Sequence, residues 1–158
     1  VKENLERLNL KANLVEADAT NLSAEKQYDL VVLDAPCSAT GTFRRHPEVI
    51  WHRREKDIKQ RAQLQAEMLK SAAHLVKPGG TLVFCTCSLE PEEGEKQMDA
   101  FLKLNPQFVV SPIVPDELEG WAEPVTEGGY LRTTPNMSLP KNGNGLDGFF
   151  AARMQRSK

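Results

Sequence analysis

Asp29-Leu30-Val31-Val32-Leu33-Asp34 runs directly into Ala35-Pro36-Cys37-Ser38-Ala39-Thr40-Gly41-Thr42. Four apolar residues between acids read as a short strand buried on both faces, and the proline and glycine that follow make the next stretch a loop at its carboxyl end. The arrangement recurs downstream. Lys77-Pro78-Gly79-Gly80 reads as a stop, Thr81 to Thr86 as a second buried strand, and Cys85-Thr86-Cys87-Ser88-Leu89-Glu90 as its end. Between them, residues 57–76 carry Ile58, Leu64, Met68, Leu69, Ala72 and Leu75 at helical spacing, which predicts a long amphipathic helix. Strand, helix and strand in this order predict an α/β fold with a mostly parallel, doubly wound sheet. Ligands of such sheets bind beyond the carboxyl ends of the strands, so the loops 34–42 and 86–91 are the candidate site.

Outward from this unit the pattern is weaker. Val1, Leu5 and Leu8 suggest a helix with Arg7 in its last turn, and Ala12 to Glu16 a short strand, followed by a polar segment from Asp18 to Lys26. Ser88 to Pro91 opens a helix expected to reach Leu104, with Pro91 in its first turn and Glu92, Glu93 and Glu95 complementing the helix dipole. Further strands fit Phe108 to Ser111, Tyr130 to Thr133 and Phe149 to Met154, and residues 117–144 read as mostly loop.

The chain has 158 residues, a length that suits one domain, with 40% hydrophobic and 27% charged residues. No apolar run approaches the roughly 20 residues needed to span a bilayer, and no secretory signal is visible. Cys37, Cys85 and Cys87 are an odd set, which argues against a disulfide framework and for a reducing, cytoplasmic setting. A net charge of -2 excludes a globally basic nucleic-acid binder. Locally, residues 44–61 hold seven Lys or Arg (44, 45, 53, 54, 56, 59, 61) against Glu48, Glu55 and Asp57, a balance of +4, with Trp51 and His52 among them. That strip could grip phosphates and stack bases. For the residues after Asp57 a solvated helix face is the better reading, and for Arg44 and Arg45, beside the loop, RNA contact is.

If the two strands are neighbours, Cys37 and Cys87 converge at one edge of the sheet. Two thiols beside a carboxylate suit covalent chemistry, because a cysteine thiolate is the strongest nucleophile among side chains at neutral pH. The amides of the helix after Cys87 would favour an anion there while Glu90, Glu92 and Glu93 oppose it, so a modest lowering of the thiol pKa is expected. A free cysteine at a strand end is more often a small buried hydrophobe, and Cys85, one step deeper than Cys87 on the same side, fits that description. A zinc site lacks the paired ligand spacing and a nearby histidine, so no metal is expected.

The chain resembles the Sun/Fmu family of RNA cytosine 5-methyltransferases. The resemblance rests on Asp34-Ala35-Pro36-Cys37-Ser38-Ala39-Thr40-Gly41, Arg44-Arg45-His46-Pro47-Glu48 with Trp51, Leu75-Val76-Lys77-Pro78-Gly79-Gly80, Thr86-Cys87-Ser88 and Asp147-Gly148-Phe149-Phe150-Ala151-Ala152. It implies a Rossmann-like, S-adenosylmethionine-dependent methyltransferase fold with antiparallel C-terminal strands. It also implies that Cys87 is the nucleophile that adds to cytosine carbon 6, that Cys37 assists release of the methylated RNA, and that Asp34 faces both cofactor and base. Asp18, Asp34 and Pro36 are implied at the cofactor, and Arg44 and Arg45 at the RNA, with ribosomal RNA as the expected partner. A base attacked in this way must leave its stack, so single-stranded or looped RNA is the natural substrate.

The family's glycine-rich cofactor loop, the ribose-binding acid and an upstream RNA-binding domain are not found in this sequence. Residues 1–158 are therefore expected to be the C-terminal portion of one methyltransferase catalytic domain, binding S-adenosylmethionine weakly or not at all in isolation. The alternative from another class is a non-catalytic RNA-binding module that keeps the fold. A methyltransferase for exocyclic amines ranks last, because Ala35-Pro36-Cys37 lacks the second proline and the aromatic residue that such loops commonly carry.

Overall fold

The computed structural model describes residues 1–158 apart from Ala24, Arg53, Lys141, Asn142 and Asn144. Its elements are α1 (Lys2–Arg7), β1 (Tyr28–Asp34), α2 (Val49–His52), α3 (Glu55–His74), β2 (Val76–Thr86), α4 (Glu95–Leu104), β3 (Phe108–Val110), β4 (Leu131–Thr133) and β5 (Phe149–Arg156). The sheet order is β1-β2-β5-β3, with β4 also pairing β5. β1 and β2 are parallel, whereas β2, β3 and β4 each pair antiparallel with β5. The expected parallel unit and antiparallel C-terminal strands are both present, but the described sheet is mixed rather than mostly parallel, with one parallel pair and three antiparallel ones, because β5 runs against each of its neighbours.

α3 forms because 55–74 is built from good helix formers and is fastened at its start. The Arg54 amide donates to the Asp57 carboxylate at 3.0 Å, and Lys59 pairs with Glu55 at 2.7 Å one turn on. The helix stops where the Leu75 carbonyl accepts the Tyr28 amide of β1 (2.7 Å) and β2 begins. Its stripe buries Leu69, Ala72 and Ala73 against Leu33, Leu82 and Phe84 of the sheet, where Met98 and Phe101 of α4, Tyr130, Phe150 and Met154 complete the core. Phe150 sits at the centre, edge-on to Phe84 (6.3 Å) and Tyr130 (5.4 Å).

Four sequence expectations are corrected. Residues 12–16 form no strand: Leu14 and Val15 are exposed, with no neighbouring strand among the described residues to take up their backbone groups. β1 is buried on one face only. Leu33 faces α3, but Leu30 and Val32 on the opposite face are 58% and 59% exposed, because the core helices cover a single side. Lys77-Pro78-Gly79-Gly80 does not separate a helix from a strand. It bulges inside β2, where four residues oppose Asp29 alone between the pairs Tyr28–Val76 and Leu30–Thr81; Pro78 suits a bulge because it has no N–H to give the ladder. The helix expected from residue 88 to 104 is two pieces, a 3₁₀ turn at Pro91–Glu93 and α4, broken at Gly94. A side chain at Gly94 would run into the Arg132 guanidinium and the Phe150 ring. Within 117–144 the chain makes β4 and the bridge Val125–Leu131, with Lys141, Asn142 and Asn144 outside the described residues. No helix among the described residues is long and apolar enough to cross a membrane.

Candidate active site

The parallel β1–β2 pair ends in register, Asp34 beside Cys85, so both following loops leave the sheet at the same edge. The loop after β1 is tied to β2 by the Ala35 amide on the Cys85 carbonyl and the Gly41 amide on the Cys87 carbonyl, each at 3.0 Å. Ala39 turns the chain with a left-handed backbone (φ 60°) into a buried 3₁₀ turn at Thr40–Thr42. Gly41 then lies against Gly148, whose amide donates to its carbonyl at 2.7 Å; a Cβ at Gly41 would overlap the Gly148 carbonyl oxygen. That contact brings Asp147-Gly148-Phe149 to the edge that carries the thiols, and explains physically why glycines stand at 41 and 148.

The two thiols meet: Cys37 Sγ and Cys87 Sγ are 3.4 Å apart. Cys87 is half-buried, and its thiol is held down to about 7 chiefly by the hydrogen bond from Cys37; burial and the charges of Asp34 and Glu93 oppose the shift. Cys37 moves the other way. Sharing its proton with Cys87, and then burial, push its thiol far above the ordinary range. The arrangement therefore favours Cys87 as the thiolate and Cys37 as the donor. The expected lowering at Cys87 is present, but its main source is the partner thiol rather than helix amides. Cys85 is buried, donates to the Leu33 carbonyl and Asp34 Oδ1 at 3.7 Å, and is pushed up to about 11 mainly by burial. Asp34 is exposed at the rim between Cys85 and solvent.

The other sequence-predicted residues lie at different distances from this centre. Pro36 is adjacent to the thiols, its carbonyl accepting from Gln65 Nε2 at 3.0 Å. Asp18 is not drawn into the cluster by any described contact. Its carboxylate accepts the Thr20 amide (2.9 Å) and hydroxyl (2.8 Å), which lowers its pKa and makes a local turn. Arg44 and Arg45 stand beside the loop, about half-exposed, and both reach Asp147, Arg44 at 3.5 Å and Arg45 more closely. This pairing holds the Asp147 carboxyl below its usual range. Trp51 is 85% exposed on α2, Arg53 falls outside the described residues, and Lys59 is engaged by Glu55 on the solvated face of α3. Among the described residues there is no His, Cys, Asp and Glu group of three or more able to hold a metal.

Sequence reasoning missed the polar frame behind the thiols. Glu93, counted with Glu90 and Glu92 as a helix-start acid, is fully buried and accepts from Ser38, Ser88 and Gln65. Arg132 forks onto Glu95 (3.1 and 2.7 Å), donates to the Ser88 carbonyl and lies 4.8 Å over the Phe150 ring. A signal was available at Gln65: a polar residue four before Leu69 falls on the buried stripe of α3, where it must serve a buried partner.

The family model described as 16S rRNA methyltransferase RsmB/F matches residues 1–155. Ribosomal RNA small subunit methyltransferase B of Klebsiella pneumoniae (strain 342) is 42% identical over 157 residues, 98% of this chain and 33% of that protein. Its counterpart from Salmonella newport (strain SL254) has the same figures. The chain thus spans about a third of the length of these relatives. Among solved structures, PH0851 superposes with a TM-score of 0.81 at 36% identity, over 98% of this chain and 33% of that one. NSun6 from Pyrococcus horikoshii with SFG gives 0.77 at 26% identity, over 99% and 38%.

Proposed function

Because the chain belongs to the 16S rRNA methyltransferase RsmB/F family, we propose that the protein is an S-adenosylmethionine-dependent RNA methyltransferase that acts on cytosine carbon 5, in ribosomal RNA, through a covalent adduct with Cys87. The observation that carries the chemistry is the 3.4 Å thiol pair with its opposed proton affinities.

Carbon 5 of cytosine is a poor nucleophile, and addition of a thiolate at carbon 6 removes that obstacle. The Cys87 electron pair forms the S–C6 bond, and the C5–C6 π pair moves toward the ring nitrogen, leaving carbon 5 enamine-like. Asp34, exposed at the rim, would accept from the amino edge as a carboxylate and, on taking a proton from solvent, donate it in a hydrogen bond to the ring nitrogen that receives the displaced charge. After methylation the carbon-5 proton passes to solvent at the exposed rim, its bond pair re-forms the double bond, and the Cys87 thiolate is expelled. Cys37, which keeps its proton beside Cys87, is suited to assist that departure. Its reach to Cys87 is the same contact that lowers the Cys87 thiol before attack.

The acids at this edge fit the cofactor's chemistry, because a sulfonium methyl donor is a cation and Asp34 is an exposed anion next to the thiols. S-adenosylmethionine, when bound, would supply the methyl group. Asp34 and Pro36 would lie along it, and Asp18 would take its adenine end from an exposed carboxylate whose Oδ1 already holds Thr20. Arg44 and Arg45 would contact RNA phosphates from their half-exposed sides.

The test uses the intact protein and RNA carrying 5-fluorocytosine, whose fluorine cannot leave as a proton does. Wild type is expected to form a stable protein–RNA adduct and Cys87→Ala none. With ordinary RNA, Cys37→Ala should accumulate the adduct. Salt-sensitive RNA binding without any adduct would replace this reading with a non-catalytic RNA-binding module.

A further inference from the structure

In the frame behind the thiols Glu93 is the fully buried acid among the described residues, and its bonds fall on the residues next to both cysteines. We propose that Glu93 is the positioning residue that sets the separation and alignment of Cys37 and Cys87. Glu93 is completely inaccessible to solvent. The Ser38 amide donates to its two oxygens at 2.9 and 3.1 Å, and the Ser38 hydroxyl donates to Oε2. The Ser88 hydroxyl donates to the same Oε2 at 2.6 Å. Ser38 follows Cys37 in the chain and Ser88 follows Cys87, so one side chain clamps both thiol-bearing loops.

The surrounding contacts carry the same organisation. Gln65 on α3 donates through one nitrogen to Glu93 Oε1 (3.1 Å) and to the Pro36 carbonyl (3.0 Å). Its own Oε1 is buried without a hydrogen-bond partner among the described residues, an unfavourable arrangement that leaves the N–H groups facing the clamp. On the other side the Thr86 hydroxyl donates to the Glu93 carbonyl at 3.0 Å. Residues 36 and 38 on one loop, and 86 and 88 on the other, therefore bracket the two cysteines: Ser38 and Ser88 bond the Glu93 carboxylate, Thr86 its backbone carbonyl, and Pro36 reaches it through Gln65.

The sign of the charge separates positioning from activation. Cys87 faces Asp34, Cys37, Cys85 and Glu93, with Arg45 as the nearby cation, and the Glu93 charge raises both thiols of the pair. A group retained to generate the thiolate would act in the opposite direction. Its retention in this buried place is explained by geometry, since an alignment error of about 1 Å at reacting atoms can reduce rate by about 10²-fold.

The experiment compares wild type, Glu93→Gln and Ser88→Ala in the intact protein. Closure of the Cys37–Cys87 disulfide by diamide, which takes up the two electrons and two protons, is followed by mass spectrometry in a Cys85→Ser background. Methylation is followed separately. Folded Glu93→Gln is expected to close the disulfide about tenfold more slowly and to lose about 10²-fold in kcat with KM for RNA nearly unchanged. The midpoint of its kcat–pH curve should rise, because a displaced Cys37 releases the hydrogen bond that lowers Cys87, an influence larger than the single opposing charge removed. Disulfide closure at the wild-type rate in folded Glu93→Gln overturns the inference. If Glu93→Gln does not fold, Ser88→Ala removes one arm of the clamp, and wild-type closure there overturns it equally. The turnover arm rests on the methyltransferase reading but the disulfide arm does not: slowed closure in a protein that never methylates RNA upholds Glu93 and refutes that reading alone.

Discussion

Replacing Cys37 by alanine should slow alkylation of Cys87 at neutral pH and accelerate it at alkaline pH. The Cys37 hydrogen bond is the main influence that brings the Cys87 thiol from its ordinary 9.0 to about 7, and every other interaction except its own backbone contact raises it. Without Cys37 the value should return to 9 or above. At pH 7 the thiolate fraction then falls from about one half to about 1%, roughly fiftyfold. The more basic thiolate is also the better nucleophile, by about six- to tenfold for two pKa units with a Brønsted coefficient of 0.4–0.5. The net expectation is an alkylation rate about five- to eightfold lower at pH 7 and several-fold higher at pH 10, where both forms are ionised. Pseudo-first-order labelling with iodoacetamide, quantified on the peptide containing Cys87, reads this directly. Rate–pH curves that fail to cross, or a midpoint for Cys87 that stays put in Cys37→Ala, would refute the assignment of proton donor and thiolate. A wild-type midpoint near 7 on Cys37 instead would reverse the two roles.

Three further outcomes follow from other parts of the molecule. Asp147→Asn should release Arg44 and Arg45 for phosphate binding, tightening the RNA complex and steepening log K against log salt by about 0.7 for each additional phosphate neutralised on a single strand; fluorescence anisotropy across a salt series measures both. Phe150→Ala removes a ring with no solvent exposure that packs on Phe84, Tyr130 and Arg132, and should cost about 3–5 kcal/mol in urea unfolding. Gly41→Ala sets a methyl group against the Gly148 carbonyl, so it should destabilise the chain by about 1–3 kcal/mol and separate the loop from Asp147, which proteolysis of the 140–150 segment would detect.

The central unit was legible because its signals are long and mutually consistent. A twenty-residue helix between two apolar runs leaves few alternatives, and α3 and β1 lie within two residues of their expected bounds, while β2 ends where expected but begins at Val76 rather than Thr81. What failed depended on partners that a local pattern does not specify. Leu30 and Val32 read as buried because parallel strands usually are, yet which face is covered is a property of the neighbouring elements. Leu14 and Val15 read as a strand by local pattern but have no strand beside them among the described residues. The break at Gly94 is set by Arg132 and Phe150, far downstream in sequence.

The site divides along the same line, and the division bears on how a thiol pair can work. Cys37 and Cys87 were expected to meet, with Asp34 at the same edge, because loops at the carboxyl ends of adjacent parallel strands must converge, a consequence of topology alone. Proximity by itself would leave two equivalent thiols competing for one proton. Asymmetry comes from the surroundings of the pair: burial raises both thiols, and Cys37 is the more enclosed of the two. Attack on a base requires a thiolate and its later expulsion requires a proton source nearby, so the two sulfurs must differ in proton affinity while remaining in contact. Rigid attachment of both loops to the buried Glu93 satisfies the contact, and unequal enclosure satisfies the difference. A substitution that equalised the two environments without moving the sulfurs would therefore impair turnover even though every reacting atom stayed in place.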